Sequence, residues 1–507
     1  MLRRRHEAQG SEAASVVGLS AVRFLLENAR VITGDPARPV ASAVAVSGAR
    51  ILDVGDVPAV VRAAGMRATR IDCRGATVLA GIVDPHLHLF GLAARDLHLD
   101  CAGFADVDTL LDAVRIRAAG LAPDVWIRGE GLDEARLGRL PTAAELERVA
   151  PRNPVRLRHR SRHASILSRR GLAHLPAGLR GVVRVCGVPT GLVAGAEDVV
   201  GRVVGILGAD DLQAGVRRVS GELASMGVTS IADATPRTWR GLAPVRRALA
   251  DDAIVQRVFA MRPWDAPGWR GRGRLQPGPV KLMVEETADG LVPSPDELAQ
   301  RIRVAAAHGA QVAVHCIGAA TLVAALAAFA SVPRRHRVGR RHRLEHVGEC
   351  PPPLVARIAA LGLTVVTNPA FVYWRGDVYR GETQGAARAW LYRARSLVAA
   401  GVAVAAASDA PVVSLNPWYG IAAARGRRTR AGYVVGAGER LAADAALRCF
   451  TVAAARSLRA DRLGVLAPGA MADLIVVTPN PLRASPQAVR ETRVHLTMID
   501  GRIVWRA

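Results

Sequence analysis

The stretch "TVLAGIVDPHLH", residues 77–88, decides how the rest of the chain is read. A short run of apolar and β-branched residues predicts a buried strand, and this one ends on two histidines. Residues i and i+2 of a strand point to the same side. His86 and His88 should therefore present two imidazoles together where strand meets loop. Similar runs follow: "VTSIADAT" (228–235), "IVQRVFAMR" (254–262), "VKLMVEE" (280–286), "QVAVHCI" (311–317), "HRLEHVG" (342–348), "LTVVTNP" (363–369) and "VAVAAASD" (402–409). Intervening stretches such as 210–226, 295–309 and 386–400 have helical length and composition. Eight strands alternating with helices predict the α/β class and a closed (β/α)8 barrel of the TIM type.

The ends read differently. Residues 21–76 are short strands and turns, and 462–507 resume that style with "GVLAPGAMADLIVVTPNP" and "VHLTMIDGRIVW". Gly48 and Gly501 each sit in an apolar–Gly–apolar turn suited to a hairpin. The two ends are expected to meet in one small β-sandwich domain, with the barrel over 77–461 between them. The long gap after the first strand is an insertion, about 104–205, placed as a subdomain over the barrel mouth. Residues 1–20 read as a disordered extension, because their basic opening is followed by Glu7 and Glu12 and a weak apolar part.

Composition narrows the function. Half of the 507 residues are apolar, which suits a large buried interior. No apolar run approaches the roughly 18–20 residues of a membrane span. The six cysteines show no CxxC spacing, so neither a disulfide framework nor a thiolate zinc site is expected, and a reduced cytoplasmic setting fits. The net charge of +24 would ordinarily suggest nucleic acid. Of the 68 basic residues, however, only Lys281 is a lysine, and the arginines are spread throughout, which argues for compositional drift. The one dense cluster, "RRHRVGRRHR" at 334–343, has no interleaved aromatic residue. The expected partner is a small molecule, not nucleic acid or membrane, with a homodimer as a compatible assembly.

Barrel chemistry sits at the C-terminal ends of the strands. The first run ends at His86 and His88, the fourth carries Lys281, the fifth ends at His315, the sixth at His346 and the eighth at Asp409. Each alone has a structural reading: a hydrogen-bonded histidine, a turn-capping aspartate, an exposed lysine. Together they form a donor set. Neutral imidazole and carboxylate favour zinc, with manganese, iron or nickel compatible. A lysine ammonium has no lone pair for a cation, but a desolvated neutral amine reacts with carbon dioxide to give a carbamate, a carboxylate on a long arm. Always-protonated arginine cannot do this, which gives a reason for one lysine against 67 arginines.

The ordered set "PHLH", the isolated strand lysine, "VAVHCIG", "RLEHV" and "ASDAPV" resembles the amidohydrolase superfamily. Within it the chain is most similar to amidohydrolase family 3, the branch of N-substituted formamide deformylase-like metal-dependent hydrolases. "WIRGEGLDEARLGRLPT", "RHASILSRRGL" and "VPTGLV" resemble that branch's insertion, and "DRLGVLAPGAMADLIVV" its tail. The resemblance implies one or two divalent ions. His86 and His88 would bind the first, and Lys281, N6-carboxylated, would bridge to a second held by His315 and His346. Asp409 would contact the first metal and serve as general base and then acid. His163, in "SRHAS", and Asn368 would lie near substrate. The implied reaction is hydrolysis of an amide-type C–N bond (N-acyl, N-formyl or cyclic) by hydroxide generated at the metal. An ester, cyclic ureide or amino-heterocycle is the alternative substrate, and a non-catalytic metal-binding relative the alternative protein.

The chain departs from the branch pattern in three loops. "KLMVEETADG" stands for "KLFADGS", "HCIGAAT" for "HAIGDRA" with Ala319 where an aspartate is usual, and Asn368-Pro369 for "QP". Cys316 should face away from His315 on the strand and is not counted as a ligand.

Overall fold

The computed structural model describes residues 23–160, 163–205, 208–287 and 290–507. The expected extension 1–20 lies outside the described residues. Eight parallel strands form one sheet in chain order: β1 (Ile82–Leu87), β2 (Val228–Asp233), β3 (Arg257–Arg262), β4 (Leu275–Met283), β5 (Val312–Cys316), β6 (Arg343–His346), β7 (Thr364–Thr367) and β8 (Ala403–Ala406). Each pairs with the next, β1–β2 and β3–β4 with register shifts and the others in regular ladders; β4 and β5, for example, align Lys281 with Ala313 and Met283 with His315. Outward residues such as Ile82, Leu282, Val314 and Leu344 pack under the surrounding helices. One of these helices, Ala319–Ala330, is nearly all alanine and leucine, so it combines high helix propensity with close approach to the sheet.

The seam between β8 and β1 is closed differently. The backbone N–H of Asp409 donates to the carbonyl of His86 at 2.9 Å, and that of His88 to the carbonyl of Ala410 at 2.8 Å. The carboxylate of Asp84 accepts from the N–H of Ser408 at 3.2 Å and from that of His86 at 3.2 Å. A side chain thus takes up strand donors where the ladder would otherwise leave them unpaired.

The run 77–88 is two strands, not one. Thr77–Ala80 belongs to a six-stranded end sheet, and the barrel begins at Ile82. Gly81 separates them, where a Cβ would lie 2.3 Å from the Thr229 side chain, so the chain can cross here only without a side chain. In that end sheet Thr77–Ala80 pairs antiparallel with Leu474–Thr478, Val78 opposite Val476. A second sheet orders Arg50–Gly55, Ala43–Ser47, Arg23–Glu27 and Thr69–Asp72. Leu26, Val44, Val78, Leu474 and Met498 share one core between the two sheets.

The insertion builds its own six-stranded sheet from His98–Asp100 to Val188–Ala194. It therefore starts upstream of residue 104, because His98–Asp100 pairs with Ile127–Leu132 as an edge strand. Among the described residues no helix is long and apolar enough to cross a membrane.

Candidate metal centre

Strand alternation sends Lys281, His315, Arg343 and Glu345 into the barrel, while their neighbours Leu282, Cys316 and Leu344 pack outward. His86 comes from β1, and His88 from the turn just past it. His346 and Asp409 depart from strand geometry, with φ of 70° and 59°. Left-handed backbone at a non-glycine residue costs roughly 1–2 kcal/mol. The same backbone region is used elsewhere in the chain, as at Asn28 and Arg74, but at His346 and Asp409 it turns a converging side chain inward.

The imidazoles form a contiguous set. Ring centroids are 5.8 Å apart for His86 and His88, 4.8 Å for His86 and His346, and 4.6 Å for His315 and His346. His86 Nε2 and His88 Nε2 each lie 3.5 Å from Asp409 Oδ1. Lys281 Nζ is 3.3 Å from His86 Nε2. The structure brings these six side chains together at one end of the barrel.

The far nitrogens of three rings are engaged. His86 Nδ1 bonds to Glu345 Oε2, His88 Nδ1 to Thr235 Oγ1 at 2.9 Å, and His346 Nδ1 to Asn368 Oδ1 at 2.8 Å. Glu345 Oε2 and Asn368 Oδ1 can only accept, so the His86 and His346 rings donate from Nδ1 and carry the lone pair on Nε2, whereas the Thr235 hydroxyl aims the His88 ring without fixing its tautomer. Burial, reinforced by Lys281, pushes the His86 imidazole down to about 4. Burial does most to take His315 and His346 to about 3. All three are neutral at pH 7 with lone pairs available. Asp409 is ionised: burial opposes its charge, yet the hydrogen bond from His88 and the adjoining His86 and His346 hold the carboxyl below its usual range.

Beneath the imidazoles lies a buried ion pair. Arg343 Nε and Nη2 donate to Glu345 Oε1 and Oε2, both at 2.7 Å, and Nη2 also reaches the carbonyl of Pro85 at 3.0 Å. Both side chains are wholly inaccessible. Burial works against the Glu345 charge, but Arg343 and then His86 hold its carboxyl well below the ordinary value. Burial lowers Lys281 to about 8, so about a tenth of this amine is neutral at pH 7.

Sequence reasoning missed Glu345, Arg343, Thr235 and Asp84. A signal existed for the first two: charged residues at i and i+2 flanking the apolar Leu344 in the short strand RLEH, hence both on one face. Asn368 was expected to meet substrate. It is fully buried, with its oxygen on His346 and its Nδ2 donating to the carbonyl of Ala407 at 3.1 Å, so it works through His346. His163 is exposed at the start of strand Ala164–Leu167, and its carbonyl accepts from Gly195 N–H at 3.0 Å. The basic cluster 334–343 leads into the opposite end of β6 from His346.

The residues fit a divalent cation on the chemistry of the donor set. His86, His88 and Asp409 each offer a ligand atom, all within 4.8 Å of one another. One constraint follows: an ammonium on Lys281 would donate into the His86 Nε2 lone pair that a cation needs, so the charged amine and a fully ligated metal exclude each other.

Comparison with known proteins supplies the family. The chain is 28% identical to the N-substituted formamide deformylase of Arthrobacter pascens over 537 aligned residues, covering 94% of this chain and 97% of that protein. Its fold is similar to crystal structures of uncharacterized metal-dependent hydrolases from Pyrococcus horikoshii (TM-score 0.78, 22% identity, 92% of this chain and 99% of that one) and Pyrococcus furiosus (TM-score 0.75, 25% identity, 91% and 100%). The amidohydrolase family model matches residues 69–505, from the second end-domain sheet through the whole barrel to the last strand. The chain belongs to the amidohydrolase family.

Proposed function

We propose that this protein is a metal-dependent hydrolase of a non-peptide, amide-type C–N bond. The observation that carries the reading is Asp409 Oδ1, 3.5 Å from both His86 Nε2 and His88 Nε2, with the Nδ1 atoms of both rings engaged elsewhere. The sequence similarity to a formamide deformylase supports the bond type.

His86, His88 and Asp409 would hold one cation, with His315, His346 and an N6-carboxylated Lys281 completing a second position. Imidazole nitrogen together with carboxylate suits zinc, a borderline-soft ion. Such an ion lowers the pKa of a coordinated water from 15.7 towards about 7 and polarises the scissile carbonyl. Within the chain, Glu345 and Thr235 keep His86 and His88 aimed. Asp409 Oδ1 faces these two rings, which leaves Oδ2 to accept the proton of the attacking water and return it to the departing nitrogen. The depressed carboxyl of Asp409 ensures that it starts as base. Carboxylation would convert the neutral Lys281 amine and carbon dioxide into a carbamate and one proton; counted from the ammonium form, two protons leave and a cation beside His86 becomes an anion.

The test is a screen of N-formyl, N-acyl and cyclic amides against zinc-loaded protein, with release of amine or acid as the readout. Turnover of at least one class, abolished by chelator and restored by zinc, is expected. A protein that takes up zinc yet cleaves none of them defeats the reading.

A further inference from the structure

A guanidinium held in place with its hydrogen bonds unmade needs a reason, because its N–H groups lose water on burial and require acceptors. Arg237 is in that position beside the candidate metal centre. It lies four residues past Asp233, the last residue of β2, and each step back to the centre is a direct contact. His88 Nδ1 is 2.9 Å from Thr235 Oγ1. The Thr235 N–H donates to Asp233 Oδ1 at 3.2 Å. Asp233 Oδ2 lies 3.6 Å from Arg237 Nε, an ion pair too long for a hydrogen bond, and both atoms are buried without a hydrogen-bond partner. The guanidinium carbon of Arg237 sits 4.6 Å from the centroid of the Phe90 ring, and Phe90 is two residues past His88. The backbone N–H of Arg237 donates to the carbonyl of Met261 at 3.0 Å, which ties this turn to β3. Among the described residues no protein group accepts from either Nη atom, and the side chain is 26% exposed.

From this arrangement we propose that Arg237 is a specificity residue that receives a carboxylate, so that the amide cleaved here bears an anionic group near the scissile bond. This deepens the amide-hydrolase reading above and rests on it. Asp233 is fixed at the end of β2 and stands on the Nε side, so it balances charge without filling the fork. The two Nη atoms remain as donors in one plane, the geometry that takes a carboxylate through parallel bonds. Stacking on Phe90 fixes that plane. Other carboxylates at this end of the barrel leave the position open: Asp409 faces His86 and His88, and Glu286 stands beside Gly318, past the end of β5 and three strands from β2. Thr235 touches both His88 and the aspartate that holds Arg237, so the anion site and the metal centre are built on one turn. The net charge of +24 adds a longer-range pull on anions.

Calorimetry on the zinc-loaded full chain tests this without any bond being cleaved. The probes are the monohydroxamates of malonic, succinic and glutaric acid, each against its neutral terminal amide, so that the members of a pair differ in charge and hardly in shape. For at least one length the carboxylate should bind at least about tenfold more tightly, as for a hydrogen bond to a charged group. Arg237→Gln should bring that ratio to within about twofold while zinc content and affinity for the neutral probe hold. Phe90→Leu, which removes the stacking platform and leaves the ion pair, should reduce the ratio in part. Arg67→Gln removes the same charge from the exposed surface of the end domain and should leave the ratio intact. Equal affinities at every length, no binding by any probe, a ratio that survives Arg237→Gln or an equal loss in Arg67→Gln overturns the proposal. If Arg237→Gln does not fold, an unchanged ratio in Phe90→Leu overturns it. Separately, kcat/KM should be higher for N-acyl amides bearing a carboxylate than for their neutral counterparts; the reverse order among hydrolysed amides also overturns it. If none is hydrolysed while the hydroxamates still rank by charge, the anion site stands and the amide reading falls.

Discussion

Lys281 Nζ lies 3.3 Å from His86 Nε2, buried on the one barrel strand that carries a lysine. At that distance the side chain either competes with a cation for the imidazole lone pair or, once carboxylated, joins it as a ligand. Lys281→Arg should inactivate the enzyme and lower bound metal, since guanidinium remains charged and cannot form a carbamate. Lys281→Ala should regain part of its activity with added formate, whereas Arg should not. An active, metal-replete Lys281→Arg protein would refute the carbamate.

Removing His86 or His88 should cost metal before anything else. His86→Ala and His88→Ala each delete one nitrogen that faces Asp409 Oδ1. Elemental analysis after dialysis should show reduced occupancy, and turnover should vanish. Full occupancy with normal rates in either variant would take that histidine out of the site.

Asp409→Asn separates ligation from proton transfer. The amide keeps the shape and one oxygen, so most metal and the fold should remain, but the proton acceptor is gone. Turnover is expected to fall by at least about 10²-fold. A rate within a few-fold of the unaltered enzyme near neutral pH would exclude Asp409 as base.

Glu345 tests the layer beneath. Glu345→Gln leaves Arg343 as a buried cation without its counter-charge, a change that costs about 3–5 kcal/mol when one partner of a buried pair is lost. It also weakens the hold on His86 Nδ1. Denaturant unfolding should show the stability loss, and zinc affinity should drop by about 10–100-fold, as for other partners of metal-binding histidines. Unchanged zinc affinity would reduce Glu345 to a structural ion pair.

Much of this was legible in the chain because the barrel writes its face into the sequence. The spacing of His86 and His88, the positions of His315, His346 and Asp409 near the ends of their runs, and Lys281 within its run follow from a period of two and from strand order. What was not legible depends on contacts distant in sequence. The bond from Glu345 to His86 joins residues 259 apart, and Asp84 reaches Ser408 across 324. No local pattern encodes either. The break at Gly81 was hidden for the opposite reason: two strands of different sheets share one unbroken apolar run, and only the close approach of Thr229 separates them. Asn368 illustrates a third case, where position at the mouth was visible but the direction of the amide was not.

The pairing of Thr77–Ala80 with Leu474–Thr478 also has a consequence in time. Nearly four hundred residues separate these strands in the chain, and at 5–20 residues per second synthesis reaches the second about 20–80 s after leaving the first. Throughout that interval the nascent end sheet lacks its central partner, and Val78 and Leu79, buried in the finished protein, await a strand not yet made. Such an edge can recruit any extended segment nearby. Newly made chains should therefore depend on ribosome-associated chaperones until the strand Leu474–Thr478 emerges, and a truncation before Leu474 should aggregate even though every residue of the candidate metal centre is present.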